Sequence, residues 1–257
     1  MKKIILLKST FPIFVFLMAL SPLIYSQSDP ILSAKKLVYD GYLTGEAALW
    51  DKGIRQLEII ANQGGTRSFS SKYELAVALY GNIGFEMSKK DEKSADIIAE
   101  KTVELLENLQ ETHASSAEVH AILGSAYAMK IALSPAKALL LGPKSSSQLE
   151  KAIVLDPESP VAWCEMGNMR LHAPRLFGGS VKESIECFSK AIRLFEKQGS
   201  RYSWQYLHAM VWLGKAYEEN GEWEKAYAAY LYALQKEPSL RWVKDELLPQ
   251  AKLKLGN

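Results

Sequence analysis

Apolar residues recur at intervals of three, four and seven along most of the chain, and few stretches alternate with period two. Leu207, Met210, Val211, Leu213, Gly214 and Tyr217 form one such set, and Ala226, Tyr227, Tyr230 and Ala233 form another. Between them Asn220-Gly221-Glu222 predicts a tight turn, since Asn and Gly tolerate positive φ. The pattern predicts an all-α chain of helical hairpins. Helix starts are marked by Ser115-x-x-Glu118, Ser147-x-x-Glu150 and Ser180-x-x-Glu183, where Ser and Glu can each satisfy a free backbone N–H. Ser159-Pro160 sets a cap residue before Pro at the first helical position.

The hairpins repeat. Gly81, Gly124 and Gly167 are 43 residues apart, and Gly214 follows 47 later. Their contexts align as Val77-x-x-Tyr80-Gly81, His120-x-x-Leu123-Gly124-x-x-Tyr127, Trp163-x-x-Met166-Gly167 and Met210-x-x-Leu213-Gly214-x-x-Tyr217. The two large residues share a helix face. The glycine admits a second helix at close range. That second helix reads Ala226-x-x-x-Tyr230-x-x-Ala233 in the last unit and Ser184-x-x-x-Phe188-x-x-Ala191 in the one before. Small residues seven apart let helices nest, with the aromatic between them filling the groove.

These residues resemble the tetratricopeptide repeat (TPR) family. Leu213-Gly214, Tyr217, Ala226, Tyr230, Ala233 and Pro238 fall at the family's spacing. The resemblance implies a right-handed solenoid of about four to five helical hairpins, with units near 30–69, 74–114, 117–159, 160–200 and 207–240. A polar-backed cap over 241–254 would close the open end, as a solenoid requires. The middle units exceed the family length by insertions at 132–144 and 172–179, both apolar and both containing Pro or Gly. Two outcomes are open for them. They project on one edge and pack on each other, or they extend and cap the first helices.

The start of the chain changes the charge picture. Lys2, Lys3 and Lys8 flank an apolar run from Phe11 to Leu20, and Ser26 ends the segment. This predicts a secretory signal peptide over residues 1–26, too short and too proline-broken to span a membrane. The expected location is the periplasm or outside the cell. The whole chain has net charge +2, but the leader carries three of its lysines, so the remainder is −1. No electrostatic case for nucleic acid survives that removal.

Candidate chemistry is sparse. The four histidines, His113, His120, His172 and His208, show no metal-binding spacing, and His120 takes the position of the packed Trp163. No metal, cofactor or catalytic residue is expected. At the family's spacing Cys164 faces the groove and Cys187 the second-helix seam, so two free thiols are expected rather than a disulfide.

The resemblance also implies where a partner would dock, because the first helices of such arrays line a concave groove. By register the lining is Asn82 and Phe85, then Ser125 and Ala128, then Asn168, Leu171 and His172, then His208, Lys215 and Glu218. Asn82, Ser125, Asn168 and Lys215 form a polar ladder able to bond a bound backbone. The expectation is a non-enzymatic exported adaptor for a protein or peptide. The alternative is an accessory of a TRAP-type transport system, whose Leu140 and Phe177 loops close over a small hydrophobic ligand or a solute-binding protein.

Overall fold

A computed structural model describes residues 29–65, 68–199 and 202–256, and the leader expected at 1–26 lies outside them. Among the described residues all regular structure is helical, and no helix is long and apolar enough to cross a membrane. The first helices of the five hairpins are α1 (Pro30–Thr44), α3 (Ser68–Ser88), α5 (Ala117–Leu133), α7 (Pro160–His172) and α9 (Trp204–Glu219). Their partners are α2 (Ala47–Asn62), α4 (Glu92–Thr112), α6 (Ala138–Leu155), α8 (Val181–Gln198) and α10 (Trp223–Lys236). A short α11 (Leu248–Leu255) ends the array.

Local chemistry sets the helix ends. Ser159 accepts from the Ala162 N–H with Pro160 at the start of α7, and Ser180 accepts from the Glu183 N–H at the start of α8. At α5 the capping residue is Ser116, one position beyond the expected Ser115, and it accepts from the Val119 N–H at 3.3 Å. Gly221, at φ 77, makes the turn between α9 and α10.

The repeat glycines carry the packing. A Cβ on Gly124, Gly167 or Gly214 would come within 3.0 Å of Leu149, Phe188 or Tyr230 respectively, each on the second helix of the same hairpin. Phe188 and Tyr230 are fully buried there, beside Ala191, Ala226 and Ala233. Gly81 differs. Its close neighbours are Trp50 on α2 and Trp204 on α9, which is far away in sequence.

The insertions do not pack on each other, and the first of them lengthens a second helix rather than a first one. Most of 132–144 becomes the first turns of α6, so Pro143 and Ser147 lie inside a helix and Ser147 does not start one. A 3-10 turn at Pro135–Lys137 makes the connection. Pro143 is the sixth residue of α6, past the four N–H groups that a helix start leaves free, so it deprives the Leu139 carbonyl of its intrahelical donor, at an exposed residue. The second insertion forms a 3-10 turn at Arg175–Phe177, held by the Arg170 guanidinium on the Gly178 carbonyl at 2.6 Å. Leu139, Leu140, Leu176 and Phe177 are all exposed, so the two insertions do not bury one another.

After α10 the chain buries Leu240, Val243, Leu247 and Ala251 against the last hairpin. The turn Val243–Leu247 is a π-turn, with the Leu248 N–H bonded to the Val243 carbonyl. Pro249 lacks the N–H that an α-helix would present to Asp245, and the wider turn absorbs that loss.

Candidate functional site on the inner face

The first helices run side by side in one direction. Cys164 lies against the Gln205 carbonyl, Asn168 against His208 and His172 against Trp212, so α7 and α9 are in parallel register. On α9 the residues Trp204, His208 and Trp212 are four apart and form one stripe. That stripe faces the inside of the array, because it meets side chains from helices at both ends of the chain.

At one end the inner face is filled. Trp204 packs its ring against Trp50 and Tyr42, each at 5.7 Å between centroids, and against Tyr80 at 6.2 Å. α1 itself reaches across to α9, and the Tyr39 hydroxyl donates to Glu237 at 2.7 Å. Beneath this lies a polar chain. The Tyr80 hydroxyl donates to Glu165 Oε2 at 2.7 Å, and the Asn168 amide donates to the same oxygen at 2.9 Å. Its amide oxygen then faces His208 Nε2 at 3.1 Å, which requires the proton on that nitrogen. Glu165 is 1% exposed, and burial holds its carboxyl above the ordinary glutamate range. Burial, helped by the repulsion that protonating the nearby His172 ring as well would bring, pushes His208 down to about 3, so it is neutral at physiological pH. Glu165 Oε1, Tyr42 Oη and Trp204 Nε1 are buried without a hydrogen-bond partner.

At the other end the face stays open. Trp212 touches His172 edge-on at 4.7 Å and Trp242 at 6.5 Å. Trp242 is 38% exposed, Trp212 is half-buried and His172 is exposed. Packing against Trp212 takes some water from the His172 ring and lowers its pKa, against the nearby Glu219 charge.

The expected groove residues divide between these two ends. Asn82 and Ser125 are buried, and offer no polar edge to an incoming backbone. Local contacts explain this: α3 and α5 lie where the inner face closes over Tyr80 and Glu165. Asn168 spends its amide nitrogen on Glu165 and its amide oxygen on His208 Nε2. Lys215 pairs with Glu218 at 2.6 Å, and Glu218 accepts from the Tyr230 hydroxyl at 2.9 Å, so this pair ties α9 to α10. Phe85 and Ala128 are half-buried, the former beneath the Lys89 ammonium. Leu171 packs into the C-terminal core. His172 is the expected residue that stands on the open part. Leu140 and Phe177 are on exposed tips and close over no pocket. Sequence reasoning missed Tyr42, Glu165, Trp204, Trp212 and Trp242. The four-residue spacing of Trp204, His208 and Trp212 was the signal available for three of the stripe's members.

Cys164 and Cys187 are buried free thiols, and burial pushes Cys187 up to about 11, so neither is a ready nucleophile. No cluster of three or more His, Cys, Asp or Glu able to hold a metal occurs among the described residues. His120 is fully buried and bonded to the Ala114 carbonyl at 2.9 Å and to Gln148, as a packed histidine should be.

No family model and no curated protein sequence matches this chain. Solved structures do match. A TPR protein of Thermus thermophilus, TTC0263, superposes with a TM-score of 0.60 at 15% identity, covering 87% of this chain and 99% of that one. The HusA haemophore of Porphyromonas gingivalis superposes with a TM-score of 0.59 at 18% identity, covering 74% and 92%. At such identities the likeness is one of fold. The chain has a TPR-like all-α solenoid fold.

Proposed function

We propose that this chain is an exported, non-enzymatic adaptor that binds a protein partner on the open part of its inner face. One observation carries the reading: Trp212, Trp242 and His172 form a partly exposed aromatic cluster where the rest of that face is already filled. Tryptophan is the residue type most often found to dominate binding energy at interfaces. Histidine beside it adds a polar edge, and its lowered pKa reduces the charge to desolvate. Export rests on the leader at residues 1–26. Affinity capture from the periplasm of the exporting host tests the reading, with Trp242→Ala as the control. Loss of a specific partner with an unchanged melting temperature supports it. Equal capture by parent and variant rejects this docking site.

A second reading makes the same cluster a seat for a small, flat, hydrophobic ligand, in keeping with a transport accessory. Two observations favour it: the His172 ring set edge-on to Trp212, and the fold shared with a haemophore. Titration with haemin would show a Soret shift that His172→Ala abolishes. An unchanged spectrum removes this reading and leaves the first standing.

A further inference from the structure

The two insertions finish on one edge of the solenoid. Ala121 on α5 packs with Val161 and Ala162 on α7, and Ser125 lies beside Glu165 a turn further on. The two helices are therefore parallel, and Leu133 and His172 end together. Beyond them stand four apolar side chains in water. Leu139 and Leu140 are 91% and 68% exposed, and Leu176 and Phe177 are 87% and 60% exposed. The second tip is held firmly, since the Ser180 N–H bonds the Arg170 carbonyl at 2.6 Å and Arg170 in turn grips Gly178. These side chains are presented outward by a fixed backbone.

The charge carried by the two tip segments themselves is one-sided. No acidic residue occurs from Ala132 to Leu149 or from Met166 to Lys182, while Lys137, Lys144, Arg170, Arg175 and Lys182 all do. Asp96 and Glu100 pair with Lys137, and Glu183 with Arg170, so Lys144, Arg175 and Lys182 are the cations that would meet headgroups. Lys144 rests over the Tyr127 ring. The chain beyond residue 26 is net acidic, so this edge is basic against the trend of the molecule.

We infer that this edge seats the protein on an anionic lipid bilayer. Leu139, Leu140, Leu176 and Phe177 enter the acyl boundary and the neighbouring cations meet the headgroups, the pairing that interfacial binding requires. Protruding tips with no groove between them suit a deformable surface better than a rigid protein pocket. The inference is independent of the partner site on the inner face.

Flotation with vesicles tests it, using phosphatidylglycerol mixed with phosphatidylcholine and, in parallel, phosphatidylcholine alone. The chain is the full protein as isolated from an exporting host, and every comparison is made within that same chain. The parent floats with the anionic vesicles and less with the neutral ones. Replacing all four apolar residues by Ser lowers the bound fraction about ten-fold or more. Lys144→Glu with Arg175→Glu lowers it as well. All these positions are at the surface, so the fold persists. A parent that stays unbound overturns the inference, and so does a four-Ser variant that binds like the parent. A lipid-free dimer in sedimentation that the four-Ser variant abolishes would assign the edge to a second copy and also overturn it.

Discussion

Glu165 is a carboxyl group sealed inside the array with no cation beside it. The Tyr80 hydroxyl, the Asn168 amide and the neighbouring Ser125 hydroxyl compensate only in part for its lost water, and burial outweighs them. Its proton is therefore held more tightly in the folded chain than in the unfolded one, where it titrates near 4.5. Between that value and the raised native one the folded state carries the extra proton. Stability contributed by this group is thus present at low pH and is lost as pH rises through the native pKa. Glu165→Gln keeps the shape and the donors' partner while removing the charge. It should raise the melting temperature at pH 8 and have little effect near pH 4. Equal melting curves for parent and variant across that range would show that the carboxyl is not desolvated. Asn168 links this group to His208, so Asn168→Ala should lower stability at both pH values by about 1–3 kcal/mol, the cost of leaving buried groups unpaired.

Between helices, close approach at the repeat glycines is the feature that the sequence displayed best. A side chain added at Gly214 meets the Tyr230 ring, which is fully buried and cannot withdraw. Gly214→Ala should cost about 1–3 kcal/mol through overpacking, despite the better helix propensity of Ala. Gly84 is the contrast, since a Cβ there meets only the Met129 methyl at 3.8 Å. Gly84→Ala should be neutral or stabilising by up to about 1 kcal/mol. Urea unfolding of the two variants reads both signs, and equal losses would contradict the packing described. These pairs were legible because each lies within one hairpin, where sequence spacing fixes which side chains meet. Helix boundaries at the insertions were not. Pro143 and the Ser147 cap pattern both read as a loop and a fresh start, yet α6 runs through them. A proline costs a helix one bond without necessarily ending it, and local sequence does not say where the first turn begins. The tips suffered from the same ambiguity: an apolar run looks like buried surface until a fold places it outside.

At the scale of the whole molecule the decisive contacts are those that no repeat spacing could announce. A solenoid is ordinarily a stack in which each unit touches only its neighbours, so its parts can open separately. Here α1 meets α9, Tyr39 reaches Glu237 and Trp204 sits among Tyr42, Trp50 and Tyr80. The first and last hairpins are thereby joined around the inner face. That closure buries Asn82 and Ser125 along the way and leaves the Trp212–Trp242 end as the open part. Whether helices so far apart in sequence meet depends on the curvature summed over four hairpins, and small changes at each interface add up. The polar ladder was correctly placed on first helices but could not reveal that the ladder is partly sealed. Closure also predicts how the protein opens. In native-state hydrogen exchange α1 and α9 should share one opening free energy, because neither can leave without exposing the Trp204 cluster. Trp204→Ala removes a side chain that is 5% exposed and should cost about 3–5 kcal/mol. More telling than that loss, α1 and α2 should then exchange well before α9, as an ordinary end unit frays. Tyr42→Leu, a milder change at the same junction, should separate the two openings by a smaller margin while preserving the fold. If α1 already frays ahead of α9 in the parent chain, the two ends are not coupled, and the inner face would be open along its whole length.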